Sequence, residues 1–197
     1  MQKRLFAFLL TACAATTLPA PAVEAAEAGT VYLGVDGAYA SGIQRDPYTK
    51  SFRVTSETNT IGAVRLLAGY QLTPNIGLEV GYVRRTDYRQ SAVNGPFSYD
   101  ATARTTNRDI SLVYQFTEWL PGLFLTTGVV FSHVDLTADS HFMGRSTRIN
   151  TAFSSRSSQL GIGYEATLSG NLKARIGVGR YGDDKIGFVG LKYYFGS

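Results

Sequence analysis

The sequence predicts an all-β fold: an eight-stranded antiparallel barrel that crosses a membrane, with short turns at one end and three long loops at the other. Three observations carry this. Eight segments of about 9–11 residues alternate apolar and polar side chains, which is the strand length a bilayer requires. The connections alternate between tight turns containing Gly, Pro or Asn and long polar stretches. Beyond the first residues no run approaches the ~18–20 apolar residues of a membrane helix, so any span is made of strands.

Residues 1–25 read as a cleaved secretory leader rather than as part of the fold. Lys3 and Arg4 precede the apolar stretch Leu5–Leu10, and Val23-Glu24-Ala25 places small residues at −3 and −1 of a cut after Ala25. Leu10-Thr11-Ala12-Cys13 also resembles a lipoprotein box, but the apolar core before Cys13 is short, and simple cleavage removes the chain's single cysteine. Losing Lys3, Arg4 and Glu24 lowers the net charge from +4 to +3. So mild a charge, without a basic run, excludes a nucleic-acid partner. Residues 26–197 are then expected to form a single barrel domain.

The predicted strands cover about 30–40, 60–72, 76–86, 108–118, 123–134, 157–168, 172–181 and 184–195. In the first, Val31, Leu33, Val35 and Tyr39 share a face opposite Tyr32, Gly34, Asp36 and Ala38. Val64, Leu66, Ala68 and Tyr70 oppose Arg65, Leu67 and Gly69 in the second, and Leu78, Val80 and Tyr82 oppose Glu79 and Gly81 in the third. Ile110, Leu112 and Tyr114 oppose Asp109, Ser111 and Val113 in the fourth; Leu125, Val129 and Phe131 oppose Phe124, Gly128 and Val130 in the fifth. The last three set Leu160, Ile162 and Tyr164 against Gly161, Gly163 and Glu165; Ile176 and Val178 against Arg175 and Gly177; and Val189, Leu191, Tyr193 and Phe195 against Gly190, Lys192 and Tyr194. Thr73-Pro74-Asn75, Trp119–Gly122 and Ser169-Gly170-Asn171 are the tight turns. Ser41–Asn59 and the stretches around 86–107 and 135–157 are the long loops, while Gly182-Asp183 is a short hairpin on the same side.

Turn lengths set the register, because residues facing each other across a hairpin must point to one side of the sheet. They predict Leu168 opposite Leu172, Glu165 opposite Arg175, Arg180 opposite Lys185, Glu118 opposite Leu123, Phe116 opposite Leu125, and His133 opposite Arg108. The bulky apolar face is too large for the interior of an eight-stranded barrel, which side chains only just fill. It therefore faces lipid. The other face, with glycines between charged residues, lines the lumen.

Ile76-Gly77-Leu78-Glu79-Val80-Gly81-Tyr82, Leu160–Leu168 and Val189-Gly190-Leu191-Lys192-Tyr193-Tyr194-Phe195 resemble the OmpA-like transmembrane domain, a superfamily that includes the Ail/OmpX and opacity-protein groups. The resemblance covers about residues 30–195. It implies an outer-membrane location, periplasmic turns, extracellular loops and insertion by the barrel-assembly machinery. It leaves activity open. Gly196-Ser197 depart from the aromatic on which that family usually ends, and an anchoring role through a peptidoglycan-binding domain is not implied.

The predicted lumen charges are balanced: Asp36, Glu79, Asp109 and Glu165 against Arg65, Lys173, Arg175 and Lys192. Buried charge requires partners, so these groups should pair, with Glu165–Arg175 the first candidate. They form either a static ionic core or, as OmpA would suggest, a small gated pore. Arg84, Arg108, Arg180 and Lys185 share the lipid-facing parity at the loop ends of strands, where Arg forks suit lipopolysaccharide phosphates. Tyr48, Phe52, Phe97, Tyr99, Phe142 and Phe153 lie on the loops among arginines, a surface suited to a host protein or glycan.

Catalytic, cofactor and metal sites are not expected. His133 and His141 are the only histidines, and adjacent Ser132 and His133 point to opposite faces of a strand, so they do not form a nucleophile–base pair. A lipid A-modifying enzyme is thus a remote alternative to two readings: a surface adhesin or envelope-integrity protein acting through its loops, and a structural barrel that organises lipopolysaccharide.

Overall fold

Alternation closes into a ring. The computed structural model describes residues 27–41, 53–58 and 61–196. The expected leader, Cys13, Tyr48 and Phe52 lie outside them. Ten antiparallel strands follow in chain order: β1 Val31–Ser41, β2 Arg53–Glu57, β3 Ile61–Gln71, β4 Ile76–Arg85, β5 Tyr88–Asn94, β6 Phe97–Gln115, β7 Leu123–Phe142, β8 Arg145–Ser169, β9 Leu172–Tyr181 and β10 Asp184–Phe195. Eight of them pair in the cycle β1-β3-β4-β6-β7-β8-β9-β10 and back to β1. β5 pairs with the upper part of β6, and β2 with β5, outside the ring.

The register fixes the shape. Followed once round, Val31 pairs with Tyr70, then Leu78, Leu112, Thr127, Leu160, Arg180 and Lys185, and returns to β1 at Ser41, a stagger of ten residues. In an eight-stranded barrel such a stagger tilts the strands by roughly 40°. Each residue then climbs about 2.5 Å along the axis, and each step to the next strand about 1.25 residues more. On this scale the outward-facing apolar positions from Leu172 to Val64 span roughly 20 Å before side-chain reach, close to the lipid-facing band of such barrels. Exposed Tyr70, Tyr114, Tyr164 and Tyr193 fall within about 4 Å of one level at the turn end, an interfacial aromatic girdle.

Inward, the wall closes down. Tyr32 and Tyr194 are fully buried and lie 4.8 Å apart by ring centroids. Their rings need glycine on neighbouring strands: a Cβ on Gly69 would lie 2.1 Å from the Tyr32 ring, and one on Gly190 2.1 Å from the Asp36 carboxylate. The small residues of the inward face thus make room for the large ones.

Above the membrane the structure departs from the loop expectation. Residues 97–107 extend β6 and 88–94 form β5, joined by a two-residue turn with Gly95 at φ +58°. β7 and β8 run on to a turn at Met143 (φ +44°) and Gly144 (φ +79°), the paired positive φ of a type I′ hairpin. Two of the three expected loops are therefore mostly sheet. The reason is physical: Ala, Ser and Thr fill most of the apolar side there, with Val134, Leu136, Ile149 and Phe153 set among them, so the alternation is weaker than in the lipid-facing strands.

Register also shifts at two turns. Ser169, not Leu168, pairs with Leu172, because a bulge lies between Thr167 and Ser169; Glu165 still faces Arg175. β6 stops at Gln115, where Asn75 of the preceding turn donates to its carbonyl at 3.0 Å and accepts from its N–H at 2.7 Å. Tyr114 rather than Phe116 therefore faces Leu125, Phe116 donates its N–H to the carbonyl of Leu123, and Thr106 rather than Arg108 faces His133. The slip is two residues, so every side chain keeps its face. Arg180 faces Lys185 as predicted.

Gly69→Val should destabilise the refolded barrel by about 1–3 kcal/mol through overpacking against Tyr32. Urea unfolding in micelles measures it. Tyr32→Ala in the same chain should recover part of the loss, and strict additivity would show that the two positions do not clash.

Candidate functional site

The eight predicted lumen charges all lie in the interior, each below a tenth exposed. They come from seven different strands, and the narrow ring brings their ends together across it as well as along neighbouring strands. Arg65 grips Asp109 through Nε and Nη2 at 3.0 and 2.5 Å and reaches Glu79 at 3.1 Å and Asp36 at 3.4 Å with Nη1. Arg175 donates Nε–H to Asp36 Oδ1 at 2.7 Å, contacts Asp36 Oδ2 through Nη2, and meets Glu79 Oε1 at 3.1 Å. Lys192 Nζ sits 2.9 Å from Glu79 and 3.0 Å from Glu165, ionic contacts rather than aligned hydrogen bonds. Lys173 lies 4.0 Å from Glu165.

Glu79 is the hub, touched by three cations and by the Tyr32 hydroxyl at 3.3 Å. The Glu165–Arg175 ion pair expected from the turn does not form. Their Cα atoms are partners across β8 and β9, yet Arg175 crosses the lumen to Asp36 and Glu79, while Glu165 takes Lys192 and a 2.8 Å hydrogen bond from Tyr194. Facing positions give parity; a long guanidinium in a narrow barrel chooses its partner by charge. Tyr32, Tyr194 and Gln115 belong to the network too, and their inward parity was visible in the sequence.

Two features of the lumen were missed. Arg85 Nη1 bonds Asp184 Oδ2 at 2.6 Å across the mouth, joining β4 to β10. Between that pair and the ionic hub lies a cavity of about 40 Å³ lined by Arg65, Val83, Phe124, Arg175, Tyr181 and Phe188. It has room for a few water molecules.

The second site is the extracellular sheet β2-β5-β6-β7-β8. The face continuing the lumen wall is apolar, carrying Ala101, Val134, Leu136, Ile149 and Phe153, with Phe97 stacked on Phe142 at 4.0 Å. Phe153 is 51 % exposed, Tyr99 half-buried. The other face is polar, with Arg104, Asp135, Asp139, Arg148 and Arg156. There Arg148 forks onto Asp139, its cross-strand partner, at 2.7 and 3.0 Å. His133 meets the Ser154 hydroxyl at 3.0 Å and Asp135 at 3.4 Å. That serine was not foreseen, since Ser132 was the neighbour considered. His133 and Asp135 are more than half exposed on the outer face of the sheet.

Of the predicted basic collar, Arg84, Arg108, Arg180 and Lys185 are all exposed on the outer wall. Register and stagger set their Cα atoms within about 3 Å of one level, at the loop-side edge of the apolar band. Arg84 contacts Asp87 at 3.5 Å, and Arg180 contacts Asp183 at 2.7 Å. Arg108 and Lys185 have no ion-pair partner among the described residues.

A closed ring with lipid-facing aliphatics, an ionic lumen and an extracellular sheet defines an integral membrane β-barrel. The chain belongs to the outer membrane protein beta-barrel domain family, matched over residues 9–195, and is a bacterial outer-membrane protein. Its fold is similar to the N-terminal β-barrel domain of Pseudomonas aeruginosa OprF, at 14% identity over 86% of this chain and 100% of that one, TM-score 0.53. The Pseudomonas aeruginosa outer membrane protein OprG aligns at 10% identity over 87% and 98%, TM-score 0.55. Ail, the attachment invasion locus protein of Yersinia pestis, aligns at 14% identity over 85% and 99%, TM-score 0.48. At these identities the likeness shows the fold alone. None of the curated proteins compared matches the sequence.

Double-mutant cycles in refolded protein should give a coupling of about 0.5–3 kcal/mol for Asp36 with Arg175 and close to zero for Glu165 with Arg175. Strong coupling of the second pair would restore the partnership that the turn suggests. In the extracellular hairpin, the hydrogen bond from Arg148 holds the Asp139 carboxyl below its ordinary value. A depressed carboxyl stabilises the fold above the ordinary aspartate range, near 3.9, and loses that contribution as pH falls through its folded value. Carboxyl NMR titration should show the Asp139 midpoint rising to the ordinary range in Arg148→Ala.

Proposed function

We propose that this protein is a non-enzymatic surface interaction protein that engages its partner, a host protein or surface glycan, through the extracellular sheet. The observation that carries this is the free edge of β8. β9 ends at Tyr181, opposite Gln159, while β8 continues up to Arg145. Ser158 gives its carbonyl to Gly182, so the even-numbered residues above it turn their N–H and C=O to the side where β9 has stopped. No strand covers them among the described residues. A long unpaired edge is a template for strand addition. Beside it, Ile149 and Phe153 offer apolar contact, and Arg148 offers charge on the other face.

The lumen supports the same reading. Four bases matched to four acids, held by cross-barrel contacts around a small cavity, suit a static closure rather than an open conduit. His133, Ser154 and Asp135 act as a polar cross-strand contact, since an exposed flat site supplies neither desolvation nor a substrate cleft. Insertion requires the barrel-assembly machinery as a transient partner.

Asn150→Pro and Ala152→Pro remove edge N–H donors without touching the membrane-spanning part. Each should lower binding of refolded protein to immobilised extracellular-matrix protein about tenfold, with heat-modifiable mobility unchanged. Unaltered binding, with a deletion strain that becomes sensitive to detergent and polymyxin instead, would replace this reading by a purely envelope-structural one.

A further inference from the structure

The geometry points to a lipid-phosphate site on the outer wall, built on the side chains of Arg108, Phe131 and Arg156 at the foot of the β8 edge. The pairing runs Arg108 to Phe131 to Arg156 across β6, β7 and β8, and all three side chains are exposed on the lipid-facing side. Neither arginine has an ion-pair partner among the described residues, in contrast to Arg84 and Arg180 of the same collar. Adjacent strands lie about 4.8 Å apart, so the arginine Cα atoms are roughly 10 Å apart. Two guanidinium forks can close on one phosphate, or on two phosphates of one headgroup, over the Phe131 ring.

Position selects the ligand. Below the row stand Ile110, Val129 and Ser158, with exposed Leu160 beneath Ser158 in the apolar band; above it stand Thr106, His133 and Ser154, none of them acidic. The carboxylates beyond them are already engaged: Asp135 faces His133, and Asp87 contacts Arg84 and Arg104. A ligand here has a phosphorylated head at the level of the arginines and acyl chains along the aliphatic wall beneath. That is a phosphorylated glycolipid of the outer leaflet, not a soluble anion. A charge left unpaired beside the apolar band is otherwise unfavourable.

The test uses full-length mature protein in phosphatidylcholine nanodiscs doped with bisphosphorylated lipid A, read as lipid A retained per barrel by native mass spectrometry. Arg108→Gln with Arg156→Gln should lower retention about tenfold or more and abolish its salt dependence. Arg84→Gln with Arg180→Gln should change it little. Lysine at both positions should restore the salt dependence and only part of the retention, because it lacks the fork. In the unaltered protein, the Nε resonances of Arg108 and Arg156 should shift with lipid A and not with its dephosphorylated form, which needs no variant to fold. Equal retention by parent and Arg108/Arg156 variant, unmoved resonances, or displacement by inorganic phosphate alone would each overturn the assignment. Loss of matrix binding in the β8-edge variants with lipid A retention intact would show the two sites to be independent.

Discussion

Hydrocarbon offers no hydrogen-bond partner to a backbone amide, and the rest of the molecule follows from that constraint. A sheet in lipid must have no edge, so β1 meets β10 along its whole length, from Val31 with Phe195 to Ser41 with Lys185. Eight strands closed at this stagger leave a lumen only as wide as its side chains. Large inward residues then force small neighbours, as Tyr32 forces Gly69, and inward charges are pressed together until each finds an opposite. The outer face is left to the aliphatics, and cations are admitted only at its rim.

The legibility of the sequence tracks this physics. Within the bilayer each strand separates a lipid face from a packed face, so Val80 against Glu79 or Leu191 against Lys192 declares its side, and all eight lumen charges were readable by parity. Contrast weakens above the rim. Segments such as Asn150-Thr151-Ala152 and Thr102-Ala103-Arg104 read as loop although they are strand, since small and polar residues stand on both faces there. Turn chemistry located the hairpins but not the last pair of each. The bulge at Leu168 and the capture of Gln115 by Asn75 are tertiary events with no local mark. Partner choice inside the lumen was equally hidden: facing positions nominate Glu165 for Arg175, while reach and charge assign Asp36 and Glu79.

The two ends of the barrel differ in what they offer. At the turn end, tyrosines and short connections seat the ring in its interface. At the other end the rim is uneven. Among the described residues, β9, β10, β1, β3 and β4 reach only to about the collar, whereas β6, β7 and β8 rise well beyond it with β5 and β2 at their side. The tall side brings together the free strand edge, the apolar patch around Phe153 and, at its foot, the arginines flanking Phe131. A ligand arriving from solution and a lipid arriving from the leaflet therefore meet the same wall at different heights.

The ionic hub carries a consequence for how the chain reaches its final state. Arg175 and Asp36 are 139 positions apart in sequence, and Arg175 and Glu79 are 96 apart. Members of the hub sit on β1, β3, β4, β6, β8, β9 and β10, so no contiguous half of the chain contains a complete set. A partly inserted sheet can match Arg65 with its neighbours and Glu165 with Lys192, but the contacts of Arg175 and Lys192 with Asp36 and Glu79 form only when the first strand meets the last. Burial of the network and sealing of the seam are thus one event, and the chain enters the bilayer cooperatively: open intermediates stay hydrated and reversible, and the finished ring is held shut from within.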